Sequence, residues 1–274
     1  MSRRGAWIAA IAVACMSSCK ASDDGAPQVG SNSNWLRGCD APVDCSSADI
    51  PECACGVCTV ECGSDQDCAG IDDARCAFEE TAAARSACGA AQSMSIGICL
   101  PRCEPGSCGE GQACVNDACV LAALPDNAFC NALPASTEAL RVLEDELLAL
   151  AEARRTADDL ACEGQPMSAP QRALRLSPSL SCAARVLAAG VAETRDTSLT
   201  DSEGRGTQER VELAGYEPLL WADTFAIEAT SPEHALRLIT QDLFACMALS
   251  DMDYVDIGIG VAGDVYVMTL GAPR

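Results

Sequence analysis

The sequence predicts an α+β fold, with helices laid on a sheet, preceded by a small, mostly irregular region held by disulfides. Three observations carry this reading. Residues 39 to 119 hold fourteen of the twenty cysteines and show no sustained apolar period of either the helical or the strand kind. From residue 137 to 249, apolar residues recur at helical spacing behind start signals. After residue 254 the pattern changes to alternation, as in strands. Helices first and strands last, over about 150 residues, make one α+β domain with its own core.

The chain begins with Arg3 and Arg4 and an apolar run from Ala6 to Ala14. That run is too short to span a bilayer and suits the centre of a signal peptide, so residues 1–18 are expected to direct export. Cys15 and Cys19 both follow small residues and resemble the lipidated cysteine of bacterial lipoproteins. Cysteine parity favours Cys19, because eighteen cysteines then follow it and all can pair. Lipidation at Cys15, the alternative, leaves Cys19 as a free thiol. Residues 19–38 are polar and rich in Gly, Ser and Asn, the composition of a flexible tether. Export to an oxidising compartment agrees with so many cysteines. The net charge of −22 becomes −24 once Arg3 and Arg4 are removed. Such a field repels nucleic acid and anionic lipid, so the expected membrane contact is the N-terminal lipid alone.

Residues 39–121 form a degenerate repeat. Cys39, Cys45, Cys53, Cys55 and Cys58 make its first unit. Cys62, Cys68, Cys76, Cys88 and Cys99 make the second, and Cys103, Cys108, Cys114 and Cys119 the third. With so little to bury, disulfides must supply the stability, about 2–4 kcal/mol each. Most bonds are expected inside a unit. Cys55-Gly-Val-Cys58 has zinc spacing, but the repeat crosses any four-cysteine grouping, so no metal is expected.

Residues 122–274 form the second domain. Ser136 and Thr137 precede a long amphipathic helix with Leu140, Leu143, Leu147 and Leu150 on its apolar side, ending near Arg154 and Arg155. A second helix starts at Ser177 or Ser179 around Pro178 and carries Leu180, Ala183, Ala184, Leu187 and Val191 inward. A short one runs from Thr207 to Ala214 and stops at Gly215. Ser231 caps a fourth, with Pro232 at its first position and Leu236, Ile239 and Leu243 facing the core through to residue 249. Two strands then share a hairpin across Val261-Ala-Gly-Asp264, with Val255, Ile257 and Ile259 in the first and Val265, Val267 and Thr269 in the second.

The order and wording of residues 137–274 resemble the CAP superfamily, the cysteine-rich secretory, antigen 5 and pathogenesis-related proteins built on the SCP domain, in its compact bacterial form. The stretch from Ser231-Pro232-Glu233 to Ile257-Gly258-Ile259-Gly260 is similar to the family's "SPE…SPGHxxNILNPxFxEIGVG". Leu147 to Arg154 is similar to its opening helix, with Ala151 where asparagine is usual. Arg195 to Tyr216 is similar to "FSHxxPDG…RxxxAGY". The resemblance implies an α-β-α sandwich. It also implies a cleft in which two histidines and two acids often hold a divalent metal. Here the first histidine falls on Leu199 and the second on Ala245, while one acid falls near Asp223. Leucine and alanine have no lone pair to ligate a metal or move a proton. Bacterial relatives imply a bond between Cys162 and Cys246, which leaves Cys130 with Cys182. Read from the residues alone, all three pairings of the four stay open.

His234, the only histidine in the chain, lies about three turns from Ala245 if the helix is continuous, and reads as a surface residue. There is no G-x-S-x-G motif, and the acidic loop from Asp251 to Asp256 lacks the glycine and glutamate of a calcium loop. The function expected is therefore non-catalytic and without cofactor: a lipid-anchored cell-envelope protein that presents a degenerate CAP domain to a protein, glycan or small ligand. Carriage of a sterol or fatty acid in an apolar CAP cleft is the alternative, and a hydrolase with another site comes third.

Overall fold

Sulfur pairing organises the N-terminal part. The computed structural model describes Cys45 and residues 52–55, 57–69, 71, 74–78, 81–88, 97–109, 111–167 and 173–274. The expected signal peptide and tether, with Cys15, Cys19 and Cys39, lie outside the described residues. Strands β1 (Glu52–Ala54) and β2 (Val57–Thr59) pair in the first unit. The second holds β3 (Glu61–Cys62), β4 (Ala74–Ala77), helix α1 (Ala82–Cys88) and β5 (Gly97–Pro101), with β5 between the other two strands. The third is the hairpin of β6 (Gln112–Val115) and β7 (Ala118–Leu121).

One device recurs in all three units. In each unit two cysteines face each other across paired strands, Cys53 with Cys58, Cys76 with Cys99 and Cys114 with Cys119. None of these facing pairs is itself a disulfide. Cys62 joins Cys76 and Cys68 joins Cys99; Cys103 joins Cys114 and Cys108 joins Cys119. In the first unit Cys45 joins Cys58 in the same manner, and Cys53 is disulfide-bonded. Cys55 bonds Cys88, which ties the first unit to the second. Cys55 and Cys58 therefore sit in different disulfides and are not available as zinc ligands.

The C-terminal part opens with α2 (Ala128–Asn131) and the long α3 (Glu138–Arg155). A small hairpin of β8 (Ala161–Cys162) and β9 (Gln165–Pro166) follows, then β10 (Arg175–Leu176), α4 (Pro178–Thr194), α5 (Thr207–Leu213), β11 (Pro218–Ala226), α6 (Pro232–Gln241), α7 (Leu243–Ser250), β12 (Asp256–Ala262) and β13 (Val265–Pro273). The helix starts are those that the capping residues predict. Thr137, Ser177 and Ser231 accept hydrogen bonds from the amides of Leu140, Leu180 and His234. Residues 231–249, expected as one helix, break at Asp242. Its extended backbone ends α6, and its carboxylate caps the amide of Ala245 to start α7.

The sheet runs β10-β12-β13-β11, with β10 parallel to β12 and the other pairs antiparallel. Helices α4 and α5 cover one face through Leu180, Ala184, Leu187, Val191 and Val211. On the other, α3, α6 and α7 pack Leu147, Ala151, Ile239 and Leu249 against Ile257, Ile259 and Met268. The result is an α-β-α sandwich. Gly258 and Gly260 point at α4, and a methyl group on either would fall on the α4 backbone at Leu180 or Ala184. The helix therefore lies directly on the strand. At its edge, Arg175 clasps the buried Asp256 at 2.7 and 2.8 Å, and Tyr216 donates to the same carboxylate at 2.7 Å. Cys130 is bonded to Cys182, and Cys162 to Cys246.

The disulfide-rich region is packed onto this sandwich. Val57, Ile98, Leu100, Val115 and Val120 belong to the same buried cluster as Leu147, Leu176 and Ile257. Polar contacts seal the junction, since the Leu176 amide donates to Ser86 Oγ at 2.8 Å and the Gly106 amide to Asp145 Oδ2 at 3.1 Å.

Candidate functional site

Asp223 stands in the middle of β11, opposite Thr269 of β13. Its carboxylate is buried and receives the Thr269 hydroxyl on one oxygen at 2.5 Å and Arg210 Nη2 on the other. Arg210 comes from α5 and is itself fully buried. Its Nη1 donates to the carbonyl oxygens of Leu199 at 2.9 Å and Arg205 at 2.6 Å. Leu199 presents that carbonyl from a left-handed conformation, φ +61°. Leu199 and Asp223 are thus joined around a guanidinium, which brings its own positive charge to Asp223. Ala245 is not part of this knot. It opens α7 and packs with the α3, α6 and β12 side of the sheet, whereas Leu199 packs beside Val191, Phe225 and Val267 on the α4 side. Leu199 and Ala245 thus belong to different buried clusters.

The remaining polar candidates are held apart. His234 is half-buried; its Nδ1 accepts the Thr230 amide at 3.3 Å, and a second helix start separates it from Ala245. In the acidic loop, Asp251 accepts the Asp253 amide while Asp256 is drawn into the core by Arg175 and Tyr216. Asp251 and Asp256 are therefore held by different partners.

A second polar concentration lies along α3. Arg141, Glu144, Asp145, Leu148 and Glu152 recur at three- and four-residue steps and so share one side of the helix. The β6/β7 hairpin covers that side, leaving two cavities of about 430 and 380 Å³ lined by the same stretch of helix. Burial pushes the Asp145 carboxyl up to about 6, against the opposing pull of the Gly106 and Cys114 amides. It pushes Glu152 to about 7, although the Leu174 amide and Arg155 favour the ionised form. Glu144 is also raised by burial, while Arg185 binds both its oxygens at 2.8 and 2.5 Å. Sequence reasoning missed this side of α3. Its periodicity was legible, but only the packing of the hairpin turns a polar helix face into a cavity wall.

No protein-family model matches this chain, and no curated protein matches it. Two solved structures are similar to part of it. One is an extracellular protein containing a SCP domain from Bacillus anthracis str. Ames, 12% identical, with a TM-score of 0.42 over 52% of this chain and 45% of that one. The other is a cysteine-rich secretory protein from Staphylococcus aureus subsp. aureus Mu50, 10% identical, with a TM-score of 0.39 over 51% and 41%. The chain thus spans less than half the length of either structure.

Proposed function

We propose that this chain is an exported, non-catalytic binding protein of the bacterial cell envelope, anchored by a lipid on Cys19 or, in the alternative, Cys15. The observation that carries the reading is the buried pair of Arg210 and Asp223. At the one family position that keeps a carboxylate, an internal cation already satisfies it, and Leu199 and Ala245 add no ligand atom. The disulfides among the described residues support an oxidising compartment. No described helix is long and apolar enough to cross a membrane. The partner is a protein, a glycan or a small ligand, and the acidic surface disfavours nucleic acid.

The test is calorimetric titration of the oxidised mature chain with zinc and then calcium, with a peptidase and esterase survey in parallel. Neither metal should bind stoichiometrically, and no hydrolysis should depend on metal. Hydrolysis that a chelator abolishes and zinc restores would overturn the reading.

A further inference from the structure

The cavity of about 430 Å³ lies where α3, the β6/β7 hairpin, α4 and β12 meet, so both halves of the chain build it. Its walls divide by chemistry. Ala113, Leu124, Leu148, Leu176 and Ile259 make the apolar part. In the polar part, Glu144 is occupied by Arg185 through two hydrogen bonds, and Asp145 by the Gly106 amide. Two lining groups keep unused capacity. Arg141 Nε and Ser136 Oγ are buried from solvent and have no hydrogen-bond partner among the described residues. The other contact of the Arg141 guanidinium is long, Nη1 to the Gly109 carbonyl at 3.5 Å.

Buried polar groups are normally paired, and an unpaired donor beside an open volume is a place for a ligand atom. Glu144 and Asp145 lie close enough to feel the Arg141 charge but make no hydrogen bond to its Nε, so the missing group is an acceptor, and a carboxylate oxygen pairs most strongly with a guanidinium N–H. Arginine and a hydroxyl together suit the planar fork of a carboxylate. The apolar walls ask for a compact hydrocarbon body behind it.

We propose that this cavity binds a small organic carboxylate on a compact apolar body, the carboxylate held by Arg141 and Ser136 and the body lying against Leu148 and Ile259. The assignment rests on the reading of the chain as a binding protein and adds to it the site and the class of ligand. It makes the disulfide-rich region part of the binding site, because β6 supplies one wall.

The probe is 4-phenylbutyrate, with 4-phenylbutanol as its neutral counterpart, titrated calorimetrically into the oxidised mature chain. The acid should bind at one per chain and at least tenfold more tightly than the alcohol. Arg141→Met should weaken the acid at least tenfold and the alcohol by much less. Ser136→Ala, a smaller change, should weaken the acid several-fold and decides the matter if Arg141→Met does not fold. Absence of binding, equal affinity for acid and alcohol, or an acid affinity that the folded variants leave unchanged would overturn the assignment. Those results leave the non-catalytic reading standing, whereas metal-dependent hydrolysis would strike that reading and not this cavity.

Discussion

Arg210 stands one residue from the exposed Glu209, yet it is fully buried and closes the polar centre of the sandwich. Removing it would strand Asp223 without a counter-charge in the interior. Arg210→Met should therefore lose about 3–5 kcal/mol of stability in urea unfolding, and Arg210→Met with Asp223→Leu should recover much of that loss. Equal stability of the single and double variants would show that the pair is not coupled. Glu152 makes a pH-dependent prediction. Its carboxyl keeps its proton to about pH 7 when folded and releases it near 4.5 when unfolded. Between those values the folded state binds more protons, so this group's contribution to stability is greatest below about pH 4.5 and is lost as pH rises to about 7. Glu152→Gln cannot ionise and still offers an acceptor to the Leu174 amide. At pH 8 it should be more stable than the parent by roughly 1–3 kcal/mol, and the gain should vanish near pH 4. A gain independent of pH would refute the assignment. Asp223 and Leu199 could be found from motif order, but the role of Arg210 could not, since nothing local marks an arginine as buried.

Among the elements, α4 and β12 depend on each other most closely. The alternation Ile257-Gly258-Ile259-Gly260 gives the strand one apolar face and one bare face, and α4 lies on the bare one. Gly258→Ala must push α4 off the sheet, at a cost of about 1–3 kcal/mol or more. Gly263→Ala, in the hairpin turn at φ +61° with open space around it, should cost only about 1–2 kcal/mol through backbone strain. Thermal melts of the two variants test this, and equal losses would mean that α4 does not rest on Gly258. Helix starts were legible because Thr137, Ser177 and Ser231 act locally on the next turn. β10 and β11 were not. One is two residues long, and the other is an edge strand with Leu219, Leu220 and Trp221 all exposed, so neither alternates.

For the whole molecule the junction between the two parts decides how each behaves alone. Leu148, Leu176 and the polar side of α3 are covered by the disulfide-rich region, and Gly106 fits against Val142 so closely that a methyl group there would strike its side chain. Residues 122–274 produced alone should therefore bind a hydrophobic dye and melt lower than the full mature chain, even with both of their disulfides formed. A truncated chain as stable as the whole would show that the junction contributes nothing.

The sequence by itself determined the α+β class, the helix starts, the final hairpin and the three cysteine units, because each follows from interactions within a few residues: a cap, a period, a turn, a spacing. Tertiary structure alone decided the break at Asp242, the burial of Arg210 against Asp223 and the cavity over α3. These depend on which surfaces meet. A face of Arg141, Glu144, Asp145 and Glu152 reads as solvated until another part of the chain covers it, after which the same charges must find partners within the protein or in what it binds.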